Sequence, residues 1–246
     1  MSNRKIYFAS DFHLGAPNRK ESHKREKTII LWLDKIKHDA EVIYLLGDIF
    51  DFWFEYEKVV PKGFVRFLGK ISELVDNGIK IHFFTGNHDM WMKEYFIKEI
   101  GIKIHTKNEI IQHHNKELFI GHGDGIDNNK YSYKLLSIIF KSAICIWLFT
   151  RLHPNFSFKI AHLWSNISRK NNQHNINDGI EKLIKYCKEK QKIKAVHYYI
   201  FGHQHQPIKR NINTECLYIN TGDWISHKTY AVLENGILEL KKFKEI

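Results

Sequence analysis

Five short apolar runs each end in a cluster of oxygen and nitrogen donors, and this punctuation constrains the chain more than any other feature. KIYFAS leads to Asp11 and His13, VIYLLG to Asp48 and Asp51, and KIHFFTG to Asn87, His88 and Asp89. LFIG leads to His122, and YYIFG to His203 and His205. Each run has the length of a buried strand. Amphipathic segments at helical spacing separate the first three runs, over residues 22–37 and 62–77, and another over 176–190 precedes the last. That alternation predicts an α/β fold. In an open α/β sheet the carboxyl ends of the strands share one edge, so donors scattered between positions 11 and 205 would meet in one crevice. The tail from residue 214 reads as β hairpins, with Asn235-Gly236 as one turn.

A lone D-x-H or G-H at a strand end is usually turn chemistry, because Asp, Asn and Gly favour turns in any case. Five such sites in series, each after a strand, are not explained that way. The donors are carboxylates, an amide and imidazoles, with no thiolate, which suits hard to borderline divalent ions such as Mn²⁺, Fe²⁺ or Zn²⁺, and their number suffices for two. A shared carboxylate holds two such ions roughly 3.5–4 Å apart, the spacing that serves phosphoryl transfer. Asp48 is the natural bridge. Glycine near the donors lets the backbone approach closely, and the alternation in Asp11-x-His13 and His203-x-His205 puts both members of a pair on one side of an extended segment. His23, His38, His82, His105, His113, His114, His174 and His197 are expected on surfaces or strand faces, outside the ligand set.

Three cysteines, Cys145, Cys187 and Cys216, are odd in number and far apart, so neither a disulfide framework nor a CxxC knuckle is expected. The opening MSNRKIYFASDFH has too short an apolar run for a signal peptide, and a cytoplasmic location is expected. A net charge of +11 favours phosphate-bearing partners. More than half of that excess falls within residues 126–175, where seven basic residues face one acid, Asp127. This block breaks the strand–helix alternation and is expected to be an insertion, with residues 1–125 and 176–246 forming the core. Leu135 to Leu152 has thirteen apolar residues in 18, but Lys141 at its middle argues against a membrane span. With Ser137, Lys141 and Cys145 on one narrow stripe and Pro154 helping to end it, the segment predicts a helix apolar around most of its circumference. Such a helix packs on or dips into an apolar surface, or is buried in an ordinary core.

The series D-x-H, G-D-x-x-D, G-N-H-D, G-H and G-H-x-H, running from Asp11 to His205, resembles the calcineurin-like binuclear metallophosphoesterases. The resemblance implies an α/β, four-layer αββα sandwich with a helical lid insertion. It also implies two divalent metal ions, Mn²⁺ foremost: one on Asp11, His13, Asp48 and His205, the other on Asp48, Asn87, His122 and His203. His88 would stabilise the pentacoordinate phosphorus or protonate the leaving group, with Asp89 orienting it and Asp51 and Asp124 supporting the ligand histidines.

Within that superfamily, DFHLG, GDIFDFW, the basic hydrophobic insertion and the overall length resemble the UDP-2,3-diacylglucosamine hydrolases of lipid A biosynthesis. This implies hydrolysis of the nucleotide-linked diacylated sugar to UMP and 2,3-diacylglucosamine 1-phosphate, by attack on the α-phosphorus. The insertion would be a lid over the acyl chains, leaning on the cytoplasmic face of the inner membrane. Asn87, His88, Ser168, Arg169 and Lys170 would touch substrate. The best-known members carry Arg where His88 stands here, which leaves a general pyrophosphatase, a cyclic nucleotide phosphodiesterase or a nuclease as alternatives, with a metal-free scaffold as another. Trp147, Phe149, Phe156, Phe158 and Trp164 are interleaved with Ile and Leu, which favours lipid over stacked bases, so no nucleic-acid partner is expected. Every donor position is filled by a competent residue, which weighs against a decayed scaffold.

Overall fold

The computed structural model describes residues 4–126, 140, 142–160 and 176–245. Among the described residues, eleven strands form two mixed sheets. In the first, β1 (Lys5–Ala9), β2 (Ala40–Leu46), β3 (Lys80–Phe84) and β4 (Lys103–His105) run parallel. The antiparallel hairpin of β10 (Thr229–Glu234) and β11 (Ile237–Lys242) adds beside β1. In the second, β6 (Lys116–Ile120), β7 (Tyr198–Phe201) and β9 (Leu217–Thr221) are parallel, flanked by antiparallel β5 (Glu109–His113) and β8 (Pro207–Asn211).

The alternation of side chains along each strand builds the layers. On β1 and β2, Ile6, Phe8, Val42, Tyr44 and Leu46 meet Leu118, Ile120, Ile200 and Ile219 between the sheets. On the other face, Tyr7, Ala9, Ile43 and Leu45 pack with Trp32 and Leu33 of α1 (Arg19–Ile36) and Phe67 and Ile71 of α2 (Val65–Asp76). Tyr199, Phe201 and Tyr218 of the second sheet are covered by Leu183, Ile184 and Cys187 from the helix Ile176–Ile193. Strands covered on both faces explain the unbroken apolar runs in the sequence. The result is helix, sheet, sheet, helix.

Two expectations need correction. The donor-bearing strands do not share one sheet: β1, β2 and β3 lie in the first and β6 and β7 in the second, so the crevice lies across the ends of two sheets. The tail is only partly a run of hairpins. Asn235 and Gly236, at φ 50° and 79°, do make the two-residue turn between β10 and β11, whereas β9 joins the second sheet and its antiparallel partner β8 begins before residue 214.

The described residues of the 126–175 block also depart from a single helix over 135–152. Ser142 is extended and its hydroxyl accepts from the Cys145 N–H at 3.2 Å, so it caps a new helix, α3 (Ala143–Thr150). Pro154 opens a further helical segment, 154–160, instead of ending the previous one. Phe149 and Phe158 hold this unit against Phe52, Phe54 and Trp91, with ring centroids 4.8 Å apart for Phe54–Phe149 and 5.2 Å for Phe52–Phe158. Ile144, Trp147, Leu148, Phe156 and Ile160 stay exposed on it. Among the described residues no helix is long and apolar enough to cross a membrane.

Candidate metal centre

The loop after β1 keeps pairing with the loop after β2: the Asp11 N–H donates to Gly47 O at 3.1 Å and the His13 N–H to Asp48 O at 2.9 Å. Phe12, between the two donors, turns the opposite way into the helix-side core, 5.4 Å from Trp224 and 5.9 Å from Phe67 between ring centroids. The apolar residue inside D-F-H thus anchors the loop and aims its polar neighbours together. Buried Arg25 of α1 secures it further, donating to the carbonyls of Phe12 and His13, each at 2.6 Å. In the second loop Phe50 does the same work as Phe12, packed against Trp53, Phe64 and Phe96.

Three groups of side chains with mutually close ligand atoms result: Asp11, His13 and His205; Asp48, His122 and His203; and His13, Asp51 and His88. Asp48 Oδ2 lies 3.3 Å from His122 Nε2 and 3.7 Å from His13 Nε2, so it stands between the first two groups. Asn87 Oδ1 is 3.3 Å from His122 Nε2. All seven expected ligands are therefore gathered in one place. Asp11, His13, Asp48, His203 and His205 have φ between 43° and 69°, the left-handed region that costs ordinary residues about 1–3 kcal/mol each. Strain concentrated on donor positions is what a site that must aim its ligands requires.

Each carboxylate is split between support and site. Asp48 Oδ1 accepts from the His88 N–H at 2.9 Å, and Asp11 Oδ2 from the His203 N–H at 3.0 Å, which leaves the other oxygen facing the imidazoles. The imidazoles share a polarity too. His122 Nδ1 is 2.8 Å from Leu46 O, His88 Nδ1 is 3.0 Å from Asp51 O, and His13 Nδ1 is 3.5 Å from Asp51 Oδ1, while their Nε2 atoms face Asp11 or Asp48. Outer partners of this kind fix the ring and its tautomer.

The electrostatics ask for positive charge. Burial opposes ionisation at Asp48, but His122 and His88 beside it hold its carboxyl well below the usual range. Burial likewise opposes protonation of His13, yet the neighbouring carboxylates of Asp11 and Asp51 hold it up to about 10. Asp11 Oδ1 is buried with no hydrogen-bond partner, 3.4 Å from His205 Nε2 and 3.7 Å from His13 Nε2. An orphaned carboxylate oxygen ringed by imidazole nitrogens fits a divalent cation.

Asp89 does not do what was expected of it. Its carboxylate accepts from the backbone N–H groups of Gly86 and Ile49, both at 2.8 Å, and more weakly from those of Asp48 and Phe50. It staples the loops after β2 and β3 together, and His88 is oriented by Asp51 O instead. Burial and the Asp48 charge push Asp89 up to about 7. Asp51 stands beside His13 as expected, and Asp124 adds its charge at His122. Ser168, Arg169 and Lys170 lie outside the described residues. Asp223 was missed: its Oδ2 is 3.3 Å from His205 Nδ1. The signal was present, because LYINTGD is a sixth apolar run closing on a carboxylate.

The sequence description of calcineurin-like phosphoesterases matches residues 4–207 of this chain. The chain belongs to that family. As a calcineurin-like phosphoesterase it is a metal-dependent hydrolase of the mixed α/β, two-sheet type. Its relatives include a UDP-2,3-diacylglucosamine hydrolase of Porphyromonas gingivalis, 36% identical over 258 residues, covering 98% of each chain. Proteins with the same description from Actinobacillus succinogenes and Pseudomonas aeruginosa are 27% and 23% identical, covering 94% and 89% of this chain and 95% and 90% of their own.

Proposed function

We propose that this phosphoesterase hydrolyses the pyrophosphate bond of UDP-2,3-diacylglucosamine, releasing UMP and 2,3-diacylglucosamine 1-phosphate. The observation that carries the reading is the near full-length similarity to the Porphyromonas gingivalis enzyme of that description, joined to a site whose donors suit two cations. A divalent pair, with Mn²⁺ the first candidate, supplies when bound the Lewis acidity that activates water and offsets charge on the phosphoryl group. Asp11, His13, Asp48 and His205 would hold one ion, and Asp48, Asn87, His122 and His203 the other.

The residues around the ions do the rest. His88 is buried, which holds its imidazole below the usual value, and its Nδ1–H donates to Asp51 O. Nε2 is left facing the site. An arriving anionic phosphate favours the imidazolium, whose Nε2 proton is then placed for a phosphoryl or leaving oxygen.

The insertion fits the lipid half of the substrate. α3 is apolar on every side, and its exposed Ile144, Trp147 and Leu148 join Phe156 and Ile160 in an uncovered apolar surface beside cationic Arg151. Such a surface suits acyl chains and the anionic cytoplasmic face of the inner membrane. The test is to offer the purified protein with Mn²⁺ the lipid-linked UDP sugar, a cyclic dinucleotide and single-stranded DNA. UMP released from the first, with the others intact, is expected; cleavage of the cyclic dinucleotide or the DNA in its place would refute the substrate.

A further inference from the structure

We infer that Asp223 sets the orientation and tautomer of His205, making it the positioning residue for the most exposed histidine of the site. The inference rests on the reading that His205 holds a cation. His205 differs from its partners: its side chain is 31% exposed, whereas those of His13 and His122 are buried, and it follows β7 on a loop in left-handed backbone. A ring so placed could present either nitrogen to the site unless something holds one of them.

Asp223 is built to do that. It follows β9 through Gly222, is itself only 4% exposed, and the Trp224 N–H donates to Asp11 O at 3.2 Å, so its loop is tied to another donor. Asp223 Oδ1 accepts from the N–H groups of Ser226 and His227, both at 2.9 Å, and lies 3.1 Å from His227 Nδ1. Three neighbours on one oxygen fix the plane of the carboxylate. Oδ2 is thereby aimed at His205 Nδ1, 3.3 Å away, and can only accept there. The His205 proton is held on Nδ1, and Nε2 is directed into the site, 3.4 Å from Asp11 Oδ1 and 3.2 Å from His13 Nε2, where its lone pair can serve a cation. Asp223 does for His205 what Leu46 O does for His122, but with a full negative charge on a half-exposed ring.

Asp223→Asn separates this role from a merely structural one. The amide oxygen can keep the bonds to Ser226 and His227, but its NH₂ then faces His205 Nδ1 and drives the imidazole proton to Nε2. Two readouts follow: Mn²⁺ affinity and stoichiometry by calorimetry, and the His205 tautomer by ¹⁵N NMR of the metal-free protein at alkaline pH. The expected result is a folded variant whose His205 proton has moved to Nε2 and whose affinity at one of two sites falls roughly 10- to 100-fold. Two sites of wild-type affinity with the tautomer unchanged would overturn the inference. So would equal loss of both sites together with loss of fold. If the wild type itself binds no Mn²⁺, the functional reading fails, while the tautomer measurement still decides whether Asp223 governs His205.

Discussion

Replacing Gly47 by alanine tests how tightly the site is built. Gly47 sits at φ 89°, and a methyl group there would lie 2.6 Å from His122 Nδ1 and 2.9 Å from Gly86 Cα. Ordinary contacts need about 3.5 Å, so the ring must retreat by roughly 0.9 Å or the two loops must part. Retreat breaks the 2.8 Å bond to Leu46 O. The left-handed backbone costs about 1–2 kcal/mol, the overpacking about 1–3 kcal/mol, and the lost bond about 1 kcal/mol. Together these make about 3–6 kcal/mol, which at this chain length lowers Tm by roughly 10–20 °C. Metal bonds tolerate about 0.2 Å, so displacement of His122 should also empty one of two cation sites. Gly69→Ala is the control: it lies inside α2, its added methyl meets nothing within 4 Å, and it should gain up to about 1 kcal/mol. Thermal unfolding with and without chelator, and metal analysis of the dialysed proteins, read both effects. A Gly47→Ala protein that melts like the wild type and keeps two metals per chain would refute the reasoning.

His88→Ala should retain both cations yet slow turnover, on the order of a hundredfold, because its imidazole serves the phosphoryl group and not the ions; loss of metal in the same preparation would contradict that division. Trp147→Ser should weaken the diacylated substrate far more than a short phosphodiester with Tm unchanged, whereas Phe149→Ser, which undoes the contact with Phe54, should cost about 3 kcal/mol. Equal loss of both substrates in Trp147→Ser would argue against acyl contact. Burial, reinforced by His105, holds His82 down to about 4 from the ordinary 6.5. A depressed histidine lends stability that is complete above its unfolded value and is lost as pH falls from there toward 4. The half-exposed ring limits the effect to on the order of 1 kcal/mol. Urea unfolding of metal-free His82→Gln should show a shallower loss than wild type between neutral pH and about pH 5, and identical slopes would remove His82 as the cause.

The donor-bearing strands were legible because each is buried on both faces and writes itself as an unbroken apolar run. The donors were legible because they close those runs. The division into two sheets was not, since local pattern does not say which strands pair: Lys103–His105 and Pro207–Asn211 are short and polar, and their membership follows from long-range register. Asp89 looked catalytic because it adjoins His88, and only the backbone geometry reveals that its carboxylate faces the N–H groups of Ile49 and Gly86. The break at Ser142 was hidden by the hydrophobicity around it. A serine amid apolar residues reads as a helix interior until its own side chain is seen to cap the next turn.

Anomalous diffraction from crystals grown with Mn²⁺ goes most directly to the arrangement of Asp48 between the two cation sites. Two peaks about 3.5–4 Å apart, one on either side of the Asp48 carboxylate, are expected in the native protein, with both absent from Asp48→Ala. A single peak, or a pair that survives removal of Asp48, would contradict the account.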